Sequence, residues 1–301
     1  MATAAATRDD AAMHVRKLPL ATGLTCNVLA WDGPADGPGA DLTFVLVHGF
    51  SDLGYMWHEV AELLAPHGHV VAPDLRGHGD SDWVGPGGYY YFMDYVADLD
   101  DVIAQCARSR VVLVGHSLGG NISGYYAGVR PGRLAGLMLL EGLGPPDMTG
   151  VDGPARTASW IDAWRIARTL RTPMPSIDEA VRRLRKNDPR LGEPMARRIA
   201  EAGTRPVEGG VRWKQDPLHH TFGPQAYRLE VAIKYWQRIT CPVVIVDGAD
   251  SQLNLPLDER ARRRSHFANH RHVVIPDAGH AIPRHQPTRV AELILELARA
   301  S

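Results

Sequence analysis

The sequence has little of what would assign it to a special class of protein. Its 301 residues contain three cysteines, Cys26, Cys106 and Cys241, and this odd, sparse set gives neither a disulfide framework nor metal-ligand spacing. The net charge is -1, so no excess of one sign indicates a nucleic acid or a membrane surface as partner. No apolar stretch has the length of a bilayer span. We therefore expect a globular protein without cofactor or metal.

The first twelve residues, MATAAATRDDAA, also lack the apolar core of a signal peptide. This stretch predicts a flexible arm over residues 1–12. Together with the sparse cysteines it favours a reducing, cytoplasmic location. The sequence leaves homodimer formation open.

The most informative stretch is VVLVGHSLGG, residues 111–120. Four consecutive apolar residues predict a strand buried on both faces, and residues 118–129 predict a helix. Ser117 lies between the two, with Gly115 and Gly119 two positions to either side, which is the G-x-S-x-G pattern of a nucleophile elbow. The helix N-terminus behind the serine would stabilise negative charge that develops there. We therefore expect Ser117 to be a nucleophile.

Buried-strand patterns alternate with helical patterns on both sides of a central segment, which predicts an α/β protein whose mostly parallel sheet has helices on both faces. Residues 143–236 contain no buried-strand run and carry helical patterns. The sequence therefore predicts a core of residues 13–142 and 237–301, into which an all-helical cap, 143–236, is inserted. The strands are predicted at residues 14–20, 24–31, 42–47, 69–72, 111–114, 134–140, 242–247 and 271–275.

Four motifs occur in an order and at intervals that resemble one family. They are VHGF at 47–50, DLRGHGDS at 74–81, GHSLGG at 115–120 and DAGH at 277–280. On these motifs the chain resembles the α/β-hydrolase fold family, in its form with a helical cap, over residues 13–300. The resemblance implies a serine hydrolase that needs no cofactor.

The resemblance also implies roles for individual residues. A serine hydroxyl needs a base, and the family's base occupies the place of His280 in the DAGH motif. The oxyanion hole would use the amides of Leu118, directly after the nucleophile, and of Phe50. We expect no role for His219, and we expect His285 to cap a helix or face solvent. The substrate pocket is predicted to include His48, Gly49, His116, Trp160 and Trp164.

The acid that orients the base has two candidates. The family's common Gly-x-x-Asp loop is GADS here, so that Asp250 comes one residue early and Ser251 stands at the usual place. Glu141 instead ends the strand that follows the elbow helix, where haloalkane dehalogenases and some lactonases carry their acid. A carboxylate after so apolar a strand needs a partner, and an imidazolium would be one. We favour Glu141, with Asp250 as the alternative.

A serine nucleophile argues against haloalkane dehalogenase and epoxide hydrolase chemistry, which the family performs with aspartate. It predicts an acyl-enzyme, and hydrolysis of a carboxylic ester, or a lactone, is the leading reaction. Cleavage of a C–C bond in a diketone and cofactor-free perhydrolysis use the same groups. A non-catalytic ligand receptor is the alternative from another class. The cap tryptophans favour a small apolar or aromatic ester as substrate.

Overall fold

The structure, a computed structural model, describes residues 13–169, 172–252 and 255–301. The arm predicted at 1–12 lies outside the described residues. One sheet of eight strands forms the centre and a two-stranded sheet lies apart from it. The strands are β1 (Met13–Pro19), β2 (Thr25–Trp31), β3 (Leu42–Val47), β4 (His69–Pro73), β5 (Arg110–His116), β6 (Gly136–Leu140), β7 (Thr204–Val207), β8 (Gly210–Trp213), β9 (Val243–Gly248) and β10 (His270–Ile275).

The central sheet has the order β1-β2-β4-β3-β5-β6-β9-β10. β2 pairs antiparallel with β1 and β4, and the pairs from β4 to β10 are all parallel. Strands β3, β6 and β9 are buried along their whole length, as unbroken apolar runs predict. The predicted α/β architecture with a mostly parallel sheet is confirmed.

Helices cover both faces of the sheet. The helices are α1 (His58–Leu64), α2 (Phe92–Cys106), α3 (Leu118–Val129), α4 (Gly153–Ala167), α5 (Ile177–Asn187), α6 (Glu193–Gly203), α7 (Leu229–Trp236), α8 (Leu257–Arg264), α9 (Ile282–His285) and α10 (Pro287–Arg299). On the first face of the sheet, α2, α3 and α7 pack in one hydrophobic core, and on the second face α1 and α10 pack in the other. Short 3₁₀ helices lie at Gly54–Trp57, Ala65–His67 and Pro217–His220.

The cap is not all-helical, and that part of the prediction is wrong. β7 and β8 form an antiparallel hairpin directly after α6. Gly209, in its turn, and Gly210, the first residue of β8, have φ of 81° and 141°, values that a helix cannot contain and that glycine adopts readily. A bridge from Val211 to Met174 joins the hairpin to the segment before α5. The strands are short and largely accessible, so they leave no buried apolar run in the sequence.

A buried arginine fastens the beginning of the cap to the core. Arg263, on α8, is 1% exposed. Its Nη1 donates to the carbonyls of Leu143, Gly144 and Pro145 at 2.7, 3.1 and 2.9 Å, and its Nε donates to Glu259. A buried guanidinium is tolerated only with such partners. The chain entering the cap is therefore held by one side chain.

Replacing Arg263 with methionine should lower the free energy of unfolding by about 2–4 kcal/mol, because several buried acceptors lose their donor. Denaturant titration measures this loss. Arg262→Met is the matched control: Arg262 pairs with the same Glu259 but its side chain is 56% exposed, so its loss should stay within about 0.5 kcal/mol. Equal losses in the two variants would contradict the role assigned to Arg263.

Candidate active site

The turn between β5 and α3 places Ser117 at the carboxyl edge of the sheet. Ser117 has φ 52° and ψ −115°, a conformation that costs energy in a residue with a side chain. A Cβ on Gly119 would lie 2.3 Å from the carbonyl oxygen of Val47, and one on Gly115 would lie 2.3 Å from that of Gly119. Only glycine at both positions lets α3 pack this close to the sheet and support the strained serine.

A short hydrogen bond joins Glu141 and His280 at the same edge. Glu141 directly follows β6, and its Oε2 lies 2.6 Å from Nδ1 of His280. The Glu141 side chain is 3% exposed. The amide of Gly248 donates to Oε1 at 3.0 Å and the hydroxyl of Ser251 to Oε2 at 2.7 Å. Burial alone would raise the pKa of the Glu141 carboxyl, but these hydrogen bonds outweigh it and hold the pKa below its usual value.

Asp250, the other candidate acid, lies elsewhere. Its side chain is 46% exposed, and within the described ranges its carboxylate bonds Arg190 at 2.9 Å and not His280. Ser251, which occupies the place of the family's usual acid, donates to Glu141 instead. The structure thus brings Glu141, rather than Asp250, to His280. Sequence reasoning noted the displaced serine but missed its part in the site.

Ser117 and His280 border one cavity of about 890 Å³, which lies between the core and the cap. Gly49 and His116 border it as well, as predicted. The Nε2–H of His116 donates to the carbonyl oxygen of His280 at 2.8 Å, which joins the elbow to the loop that carries His280.

Three of the residues predicted to line the pocket do not reach this cavity. His48 is fully buried, with Nδ1–H donating to the carbonyl of Gly49 at 2.7 Å and Nε2 accepting from the amide of Leu75 at 2.9 Å. Trp160 meets Tyr89 edge-on and Trp164 meets it at a tilt, with ring centroids 5.3 and 5.5 Å away. Those three predictions are wrong, because the sequence cannot tell which neighbour a buried ring packs against.

The two residues whose amides are predicted to form the oxyanion hole both lie close to Ser117 in the chain or in space. Leu118 is the first residue of α3, and a helix leaves its first amides without an acceptor inside the helix. Phe50 follows β3 in the loop that approaches the elbow, where a Cβ on Gly49 would lie 3.1 Å from the Cβ of Ser117. The phenyl ring of Phe50 is 47% exposed and borders the cavity.

A cluster of three histidine rings, His48, His78 and His219, supports the loop of Phe50 from behind. Their ring centroids lie 5.2 Å apart for the first pair and 4.3 Å apart for the second. The Nδ1–H of His78 donates to the carbonyl of Arg76, and its Nε2 accepts from the amide of Ser51. The cluster therefore connects the DLRGHGDS motif to the loop after β3.

The third ring of this histidine cluster comes from the cap. His219 donates from Nδ1–H to the carbonyl of Asp216 at 3.2 Å, and its Nε2 accepts from the hydroxyl of Tyr95 at 2.7 Å. Each ring of the cluster thus uses one nitrogen as donor and the other as acceptor, which requires neutral imidazoles. Burial lowers the pKa of all three, that of His219 to about 4. No pattern in the sequence indicates that these distant histidines meet.

Comparison with known proteins agrees with this geometry. A model of the alpha/beta hydrolase fold matches residues 43–283, which span the elbow, both candidate acids and His280. The chain belongs to the α/β-hydrolase fold family. Within the described residues, no helix of this α/β-hydrolase combines the length and the apolar character that a membrane crossing requires.

Three similar proteins place the chain within the α/β hydrolases. A serine hydrolase-like protein of Danio rerio is 28% identical over 188 residues, which are 61% of this chain and 58% of that protein. The 3-hydroxybutyrate-oligomer hydrolase of Cupriavidus necator is 28% identical over 87% of this chain and 88% of its own length. The thioesterase domain from the curacin biosynthetic pathway superposes with a TM-score of 0.83 at 27% identity, covering 94% of this chain and 99% of that domain. The chain thus spans about three fifths of the length of the serine hydrolase-like relative and most of the length of the other two proteins.

In this α/β hydrolase, Glu141→Gln should reduce the turnover of a hydrolysed ester by about 10²–10⁴-fold, because His280 loses the charge that orients it and stabilises its protonated form. Asp250→Asn is the matched control and should cost less than about threefold, since that carboxylate bonds Arg190 at the surface. Steady-state kcat of the two variants decides between them, and the reverse ranking would overturn the assignment.

The histidine cluster should make the α/β hydrolase sensitive to acid. The folded pKa of His219 lies at about 4, below its ordinary 6.5, so the unfolded chain binds more protons between these values. The free energy of unfolding should fall as pH falls through that window, by up to about 1.4 kcal/mol per pH unit for each such histidine. His219→Gln should flatten the dependence, measured by denaturant titration from pH 7 to 4.5. His67→Gln, at an exposed position, should leave the slope as in the parent protein. A slope unchanged in both variants would refute the contribution of His219.

Proposed function

We propose that this α/β hydrolase is a serine hydrolase that cleaves carboxylic esters through an acyl-enzyme. Ser117 is the nucleophile, His280 the base and Glu141 the acid of the triad. The observation that carries the proposal is the 2.6 Å hydrogen bond between Glu141 and His280, together with the cavity that His280 and the strained serine both border.

The hydrogen bond to Glu141 determines which nitrogen of His280 acts as the base. The Glu141 carboxylate accepts the Nδ1–H, which leaves Nε2 as the basic nitrogen, available to the hydroxyl of Ser117. As the serine oxygen attacks the ester carbonyl, its proton passes to Nε2. The imidazolium that forms is stabilised by Glu141, whose pKa is held low enough to keep it ionised at neutral pH.

The tetrahedral intermediate carries an oxyanion. The amides of Phe50 and Leu118 are the proposed donors, and the N-terminus of α3 adds its positive dipole. The imidazolium of His280 then gives its proton to the leaving oxygen, and the acyl group stays on Ser117. A water molecule that His280 deprotonates releases the acid and restores the enzyme.

Serine chemistry separates this proposal from the other reactions of the family. The similarity to a 3-hydroxybutyrate-oligomer hydrolase and to a thioesterase domain supports hydrolysis. An intact pairing of acid and base favours an enzyme over a ligand receptor on this fold. An ester, with its moderately activated carbonyl and protonatable leaving oxygen, is the simplest substrate that these groups can process.

Ser117→Ala should abolish the hydrolysis of p-nitrophenyl butyrate, lowering kcat by at least about 10³-fold, because no acyl-enzyme can form. A fluorophosphonate probe should label the parent protein at Ser117 and leave the variant unlabelled, as peptide mass spectrometry would report. Matched thermal melting curves control for folding. Ester turnover that survives the substitution, or a parent protein that neither turns over esters nor reacts with the probe, would refute the proposal.

A further inference from the structure

A second, smaller pocket lies beside the catalytic cavity. It has a volume of about 230 Å³ and is bordered by five aromatic side chains of residues 89–95. Phe50 and Leu118, whose amides form the proposed oxyanion hole, border it too, and the cap closes the other side. We call it the tyrosine pocket. Its aromatic lining residues are Tyr89, Tyr90, Tyr91, Phe92 and Tyr95.

The tyrosine pocket presents ring carbons more than hydroxyl groups. The hydroxyls of three tyrosines are engaged by the cap, since Tyr89 bonds Thr221 at 2.8 Å and Tyr95 bonds His219 at 2.7 Å. The hydroxyl of Tyr90 donates to Asp216 at 2.9 Å. Aromatic walls with their polar ends already paired favour an apolar, flat guest. An apolar cavity of roughly 150 Å³ holds benzene, so about 230 Å³ accommodates one aromatic ring and a short linker.

The two spaces differ in chemistry and meet at Phe50. Its ring borders both the tyrosine pocket and the large cavity. The large cavity is bordered by His280 and by charged side chains of both signs, among them Arg190, Arg284 and Asp188. His280 does not border the tyrosine pocket. Ser117 borders the polar cavity and its neighbour Leu118 borders the tyrosine pocket, so the nucleophile lies next to both spaces.

The proton transfers of the reaction indicate which half of the ester lies on which side. The leaving oxygen must receive its proton from His280, so the leaving group occupies the large polar cavity. The acyl group remains on Ser117 while its carbonyl oxygen faces the amides of Phe50 and Leu118. From there it continues into the tyrosine pocket, which those two residues border. Water then adds its hydroxyl to the acyl carbon, and the proton of that water passes through His280 back to the oxygen of Ser117.

We infer that the substrates are esters of a small aryl-substituted acid, of the size of phenylacetic or phenylpropanoic acid, with a polar alcohol as leaving group. The inference rests on the proposed serine hydrolase function and adds the acyl specificity. The acyl pocket is thus formed by residues 89–95 rather than by the cap tryptophans, Trp160 and Trp164, that the sequence predicted.

The test holds the leaving group constant. We expect kcat/KM for p-nitrophenyl phenylacetate to exceed that for p-nitrophenyl acetate by about 10-fold or more, after correction for their alkaline hydrolysis rates. Tyr91→Ala removes one aromatic wall and should lower this ratio by about fivefold. Gln225→Trp places a large ring at the cap side of the pocket and should lower the ratio further. Met93→Ala is the control, because Met93 is 45% exposed and lies two residues beyond Tyr91 without bordering the pocket.

The outcomes separate the two levels of the proposal. A ratio near one in the parent protein would overturn the aryl-acyl assignment. So would a ratio that Tyr91→Ala and Gln225→Trp change no more than Met93→Ala does. In either case the serine hydrolase assignment stands. If neither ester is turned over and the fluorophosphonate fails to label Ser117, the proposed function itself fails. A high ratio that falls in the two pocket variants alone supports the inference.

Discussion

The strained backbone at Ser117 is the constraint on which the rest of the site depends. Among residues 13–169, 172–252 and 255–301, four non-glycine residues have positive φ: Ser51, Ser117, Glu141 and Asp277, with values from 48° to 58°. Each follows a parallel strand, β3, β5, β6 or β10, so the strain collects at one edge of the sheet. Such conformations cost about 1–3 kcal/mol each. Two cores, one on each face of the sheet, supply the rigidity that holds them.

The position of the acid follows from the same edge. β5 and β6 are neighbours, so the residues that come after them, Ser117 and Glu141, are held by adjacent strands of a buried sheet. A carboxylate there would be costly if it lacked partners. Gly248, the last residue of β9, and Ser251, in the loop after β9, both donate to this carboxylate. β9 is the next strand in the sheet, and His280 reaches the carboxylate from the loop after β10. The loop that commonly carries the acid thus helps to hold it in place.

The sequence predicts best those structural features that depend on patterns among neighbouring residues. An unbroken apolar run predicts a buried strand, and glycines at fixed offsets predict the elbow, so the sheet and Ser117 could be anticipated. The packing of the cap could not, because periodicity shows that a face is apolar but not which partner covers it. The contacts of Trp160 and Trp164 with Tyr89 are an example. The hairpin that follows α6 is short and accessible, and it escapes the same pattern. The meeting of His78 and His219 depends on the tertiary fold alone.

Hydrogen bonds join the cap to both catalytic loops. His285, expected to cap a helix or face solvent, has a side chain only 5% exposed: Nδ1 accepts from the amide of Gly279, beside His280, and Nε2–H donates to Asp188 of the cap at 3.0 Å. Two residues on, Arg190 bonds Asp250 on the loop that supports Glu141. Displacing this cap segment would break hydrogen bonds to both loops. These hydrogen bonds therefore couple the orientation of His280 to the position of the cap over the cavity. A cap that shapes the cavity and excludes water depends on such a connection.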